Sequence, residues 1–165
     1  MSSERLDAEW VRTWYEQTGA ALGEWVRAFE ATHGFSPGQN VIRLATDESS
    51  KATDGLVDLT PIPSDLTTLY WVIRELSLPD VDSGYFIHSP ATVAEHFREY
   101  GSIGIAGEGL ALVFASDGGG HLFAVTATGR IWRSTSASWS ADFEVAAADL
   151  KEFLEQLGRR IPDRL

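Results

Sequence analysis

From Leu6 to Phe29 the apolar residues Trp10, Trp14, Ala21, Leu22, Trp25 and Phe29 share one helical face, while Glu9, Arg12, Glu16, Arg27 and Glu30 take the other. The pattern predicts an amphipathic helical segment over residues 5–33, as one helix or two. Gly19 and Gly23 fall on its polar face, where each costs about 1 kcal/mol against alanine, so a kink or short break is expected near them. Each tryptophan of the stripe buries on the order of 150–250 Å², so the stripe should dock onto a sheet. The run His33-Gly34-Phe35-Ser36-Pro37-Gly38 stops the helix, and a short strand is expected from Asn40 to Ala45. Thr46 to Asp65 shows little periodicity and is rich in Ser, Thr, Asp, Gly and Pro, which predicts a long surface loop.

Leu66, Leu69, Tyr70, Ile73 and Leu76 recur at helical spacing, predicting a helix that Pro79 ends. Gly84 to His88 is a run of strand formers, and Ser89-Pro90 opens a helix with Ser89 as cap, Pro90 in its first turn and Val93, Ala94 and Phe97 inward. Leu110–Ala115, His121–Thr126 and Arg130–Thr135 are then three strands of an antiparallel meander, turned by Asp117–Gly120 and by Gly129. A last strand near Phe143 leads to a helix capped by Asp149 and Glu152, with Leu150, Phe153, Leu154 and Leu157 on its inner face, ended by Gly158 and Pro162. The element order predicts an α+β fold: one domain over residues 1–165, with a mixed, largely antiparallel sheet packed against helices.

A chain of 165 residues with 44% hydrophobic and 22% charged residues can bury a core without staples. The absence of cysteine rules out disulfides and thiolate chemistry, and makes the reducing cytoplasm the expected compartment. The first ten residues lack the basic start and apolar run of a signal peptide, and no apolar stretch reaches membrane-spanning length. A net charge of −11 disfavours nucleic acid and anionic lipid and favours basic protein partners. Between Val41 and Asp82 eight acids face three bases, which supplies −5 of that charge.

The chemistry-bearing patterns are few. Asp117-Gly118-Gly119-Gly120 joins two strands and lacks a lysine, so it reads as a hairpin turn and not as a phosphate loop. His33, His88, His96 and His121 show no paired metal-ligand spacing, and Ser89, Ser116 and Ser134 sit in no nucleophile elbow, so no metal, cofactor or catalytic residue is expected. Trp132 and Trp139 are interface anchors if exposed and core residues if buried; the serine-rich setting of Trp139 predicts exposure.

Two stretches and their order resemble the SUKH superfamily, named for fungal cell-wall regulators and related proteins. The first is Leu76-Ser77-Leu78-Pro79-Asp80-Val81-Asp82-Ser83-Gly84-Tyr85-Phe86-Ile87-His88-Ser89. The second runs from Phe114 through Asp117-Gly118-Gly119-Gly120 to Gly129-Arg130-Ile131-Trp132-Arg133, and the closing helix Leu150–Leu157 follows. The resemblance covers residues 66–158. It departs at His121, which follows the glycines where the family pattern favours a small acidic or amide residue. It implies a sheet packed against helices, and an immunity protein that neutralises a polymorphic toxin, of nuclease or deaminase type, by direct binding. The toxin would be a basic domain encoded nearby, met in the cytoplasm by this chain as a monomer or homodimer. Expected contacts are Asp47, Glu48, Asp54, Asp58, Asp80 and Asp82, with Trp139 as apolar anchor. A regulatory scaffold of the same superfamily is the alternative, and a small-ligand binder or enzyme the third reading.

Overall fold

A 26-residue helix, α1 (Ala8–His33), opens the chain, with Asp7 accepting from the Trp10 amide at its start and Gly34 closing it in the left-handed region. The computed structural model describes residues 6–105 and 107–161. Helix α1 runs without interruption through Gly19 and Gly23, where the sequence predicts a kink. Val11, Trp14, Leu22 and Trp25 are buried along its length, and continuous packing outweighs two half-buried glycines.

After β1 (Val41–Leu44) the structure departs from the expected loop. Residues 46–65 contain α2 (Asp47–Leu59) and the start of α3 (Ser64–Val72). Thr46 and Ser49 form a reciprocal capping box, and the buried side of α2 is Ser49, Thr53 and Leu56. Two of those three inward residues are polar, so the helical period is invisible to a hydrophobicity pattern. Thr53 satisfies its hydroxyl by donating to the Ser49 carbonyl at 3.0 Å, which makes its burial tolerable. The helix predicted from Leu66 to Leu76 likewise ends early. At Ile73 the chain passes directly into β2 (Ile73–Leu78), where pairing with both β1 and a third strand overrides helical spacing.

The remaining elements are β3 (Tyr85–Ile87), α4 (Pro90–Tyr100), β4 (Ile103–Ile105), β5 (Gly109–Asp117), β6 (Leu122–Thr126), β7 (Ile131–Ser134), β8 (Phe143–Ala147) and α5 (Leu150–Arg160). The short β4 has no counterpart in the sequence reading. Strand order is β1-β2-β3-β5-β6-β7-β8, with β4 also on β5, and every pairing among the described residues is antiparallel. The fold is thus α+β, five helices with one eight-stranded sheet among the described residues. No described helix is long and apolar enough to cross a membrane.

The sheet is buried on both faces over β5 and β6. Leu112, Phe114, Phe123 and Val125 face the main core, where Phe153 of α5 packs on Phe114 and Phe123 at ring separations of 5.6 and 5.1 Å. Ala111, Val113, Ala124 and Trp132 face a smaller cluster on the other side. Helix α1 rests on α3 and α5, and Trp14 donates its indole N–H to the Leu154 carbonyl at 2.8 Å. Gly158 lies within α5 and does not end it; a Cβ there would stand 3.3 Å from Trp14 Nε1, so the glycine makes room for that docking. Pro162, the other expected stop, lies outside the described residues.

Candidate protein-interaction surface

Because Ser49, Thr53 and Leu56 turn α2 inward, its acids point out. Asp47, Glu48, Asp54 and Asp58 are all exposed, and Asp47, Asp54 and Asp58 lie within one helical stripe that also carries Lys51. Large apolar side chains stand beside them. Val57, between Asp54 and Asp58 on the chain, is 45% exposed; Leu44 and Trp71 are each 46% exposed. The Ala45 amide donates to the Val72 carbonyl at 2.8 Å, tying the residue after Leu44 to the residue after Trp71. That bond fixes both apolar residues next to the Thr46 cap, where Asp47 and Glu48 begin the helix. The first turn of α2 and the ends of β1 and α3 therefore meet, and these three elements carry the exposed acids and apolar side chains. Sequence reading missed Leu44, Val57 and Trp71, since nothing in their local pattern distinguishes an outward from an inward apolar side chain.

Asp80 and Asp82 are exposed but do not join this surface. They follow the other end of β2, a strand about 20 Å long. Asp80 is tied to Asn40, its carboxylate accepting from the Asn40 amide at 3.0 Å and its own N–H donating back at 3.1 Å. Asp82 adopts a positive φ of 51°, accepts from the Tyr85 hydroxyl at 2.8 Å and faces Arg160 at 3.6 Å. Both therefore organise the β2–β3 turn.

Trp139 is not an exposed anchor. Its ring stacks on Tyr100 at 4.2 Å and 17° and meets His96 edge-on at 5.6 Å, and it is half-buried over the smaller cluster. The serine-rich loop that carries it covers apolar strand residues which would otherwise face water. Trp132 is buried, at 9% exposure.

The same layer brings together residues distant in sequence. His88 Nε2 lies 2.9 Å from Ser116 Oγ, and the His88 and His96 rings stand 5.3 Å apart, edge to face. No partner meets His88 Nδ1 or His96 Nδ1 among the described residues. A bare lone pair at Nδ1 is less costly to bury than a bare N–H, so His88 carries its proton on Nε2 and donates to Ser116. Ser116 is an acceptor in that arrangement and is not activated as a nucleophile. Burial, and secondarily the charge of His96, push the His88 pKa down to about 4, leaving it a weak base at neutral pH. The described residues hold no group of three or more His, Asp or Glu side chains arranged for a metal ion.

That depression has a consequence for stability. The unfolded chain protonates His88 near its ordinary 6.5 and the folded chain only near 4, so the folded state is favoured above pH 6.5 and loses that advantage as the pH falls through the interval. Urea titrations between pH 7 and pH 4 should show the native protein losing roughly 2–3 kcal/mol more than His88→Gln over this range. Parallel pH profiles for the two proteins would contradict the assignment.

The Asp117 hairpin is held by a network the glycine pattern did not reveal. Asp117 is 6% exposed. Its Oδ1 accepts from the Gly119 amide at 3.0 Å, the His121 amide at 2.9 Å and His121 Nδ1 at 3.2 Å; its Oδ2 accepts from Arg133 Nη2 at 3.0 Å. Burial alone pushes its carboxyl up, but the hydrogen bonds from Arg133 and His121 outweigh it and hold the pKa below the usual value. Gly118 and Gly84 bring the β2–β3 turn against this hairpin, the Gly118 amide donating to the Gly84 carbonyl at 3.1 Å. No protein-family model matches the chain, and no curated protein matches it in sequence.

Proposed function

We propose that this chain is a protein-binding module that docks a basic protein partner on the surface formed by α2, the end of β1 and the end of α3. The observation that carries the reading is the exposure of Leu44, Val57 and Trp71 beside four exposed acids on α2. Apolar and aromatic side chains held in the open supply anchors, and the surrounding carboxylates steer a basic partner and fix its register. A net charge of −11 adds a long-range attraction for the same partner. The SUKH resemblance names the partner class: a toxin domain of nuclease or deaminase type, whose phosphate-binding cleft is basic, neutralised in the cytoplasm by this chain as its immunity protein. Within that reading Asp47, Glu48, Asp54 and Asp58 are contacts; Asp80, Asp82 and Trp139, engaged elsewhere, are not.

The test is binding to the toxin domain encoded beside this chain, with growth rescue on co-expression. Replacing Asp47, Glu48, Asp54 and Asp58 together by lysine should leave the circular dichroism spectrum intact, because all four are exposed, and weaken binding by roughly 100-fold or more, chiefly through the on-rate. Trp71→Ala should weaken it by about tenfold or more through the off-rate. Undiminished binding by the lysine variant would remove this surface from the interface. Failure of the native protein to bind or rescue would remove the toxin.

A further inference from the structure

On the helix-covered side of the sheet, away from α2, lies a cleft of about 400 Å³. The β2–β3 turn contributes Asp82 and Tyr85 to it, the hairpin and β7 contribute Asp117 and Arg133, and α5 contributes Phe153 and Arg160. The segments are held together by Gly118 against Gly84 and by Phe153 in the core.

The charged groups of the cleft are unequally engaged. Both oxygens of Asp117 are taken, and in taking Nη2 they orient the Arg133 guanidinium. A guanidinium has five N–H groups, so Arg133, about one-third exposed and lining the cleft, keeps most of its fork for another acceptor. Arg160 faces Asp82 at 3.6 Å, an ion pair too long for a hydrogen bond, and makes no hydrogen bond among the described residues. Asp82 accepts instead from the Tyr85 hydroxyl. Glu144, the cross-strand neighbour of Arg133 on β8, is exposed, lines the cleft and has no ion-pair partner among the described residues. Phe153 and Leu157 add an apolar wall.

Two guanidinium groups with free donors, one unpaired carboxylate and an apolar wall define a ligand. We propose that the cleft binds a carboxylate joined to an apolar side chain and a neighbouring N–H group. Arg133 and Arg160 hold the carboxylate, Glu144 accepts from the N–H, and Phe153 with Leu157 packs the side chain. A phosphate dianion does not fit, because Asp82 and Glu144 add negative charge to the same walls. The ligand chemistry has two sources, the carboxy-terminal residue of a peptide and a free apolar amino acid. The cleft is separate from the α2 surface, and its occupancy does not depend on a toxin partner.

The test is a chemical-shift titration of the full chain with N-acetyl-leucine, L-leucine and N-acetyl-leucinamide. Saturable shifts are expected at the Gly118–Gly120 amides and the Arg133 Nε–H with the two acids. The amide should bind at least about tenfold more weakly, since it lacks the charge that Arg forks recognise. Tighter binding of N-acetyl-leucine identifies a chain terminus as the ligand, and tighter binding of L-leucine a free amino acid. Arg160→Gln, at an exposed position, should keep the fold and weaken both acids about tenfold. Equal binding of acid and amide, an unchanged affinity in Arg160→Gln, or no saturable shift with either acid would overturn the proposal.

Discussion

Alanine at position 118 is expected to destabilise the protein by about 3–4 kcal/mol, the upper range for overpacking, because the atom it adds has nowhere to go. A Cβ on Gly118 would lie 2.0 Å from the Ser83 carbonyl oxygen and 3.1 Å from its carbon, both backbone atoms that no rotamer change can move. Gly84 is in the left-handed region at φ 88°, and a Cβ there would in turn meet Gly118 backbone at 3.2 Å. Relief requires the two turns to separate, which breaks the Gly118–Gly84 hydrogen bond and loosens the end of the β3–β5 ladder at Tyr85 and Asp117. For a chain of this size the loss corresponds to a fall in Tm on the order of 10 °C. Gly119→Ala is the control: its Cβ would meet only the Asp117 and His121 side chains, at 3.3 Å and beyond, and it should cost less than about 1 kcal/mol. Urea unfolding of both variants decides the matter, and equal losses would show that the close approach of the turns is not what position 118 serves.

Asp117→Asn should lower stability by about 3 kcal/mol at pH 7, in the range for breaking a buried ion pair while leaving its partner in place. The carboxylate accepts from four donors, and an amide of the same shape can serve only some of them while turning its own N–H groups toward the rest. The pH dependence follows from the direction of the shift. Hydrogen bonds from Arg133 and His121 hold the folded pKa below the ordinary 3.8, so the carboxylate's contribution is complete above that value and is lost as the pH falls through the folded pKa. The gap between native protein and Asp117→Asn should therefore narrow as the pH falls below about 4. Arg133→Gln should lose less than Asp117→Asn, and the double variant less than the sum, since the two share one interaction. Full additivity in urea unfolding would contradict the network.

The elements that hydrophobic periodicity defines strongly were legible in the chain. Helix α1, the β5-β6-β7 meander and α5 follow directly from alternation and helical stripes, as do the Ser89 cap of α4 and the Asp149 cap of α5. Helix α2 was not legible, because Ser49 and Thr53 fill two of its three inward positions and become compatible with burial only through internal hydrogen bonds and packing on α3 and α4. The end of α3 at Ile73 was not legible either. Leu76 satisfies a helical stripe and a strand alternation equally, and only the presence of β1 and β3 on either side makes the strand the better state.

The same division runs through the candidate surface. Sequence showed that residues 41–82 are strongly acidic, but not that Asp47, Glu48, Asp54 and Asp58 would share a helix while Asp80 and Asp82 turn a corner at the far end of β2. It identified Trp139 as an aromatic in a polar loop, and the apolar second face of the sheet then drew that ring under cover.

At the hairpin, composition and spacing determined by themselves that Asp117–Gly120 turns between two strands and lacks the lysine and helix of a phosphate loop. Positive φ at Gly120 is the local reason for a glycine there. Only the tertiary structure decided why Gly118 must lack a side chain, why Asp117 is buried, and that Arg133 and Arg160 face one cleft. Those facts depend on the approach of segments 16 residues or more apart, and side-chain chemistry along a chain does not specify distance in space.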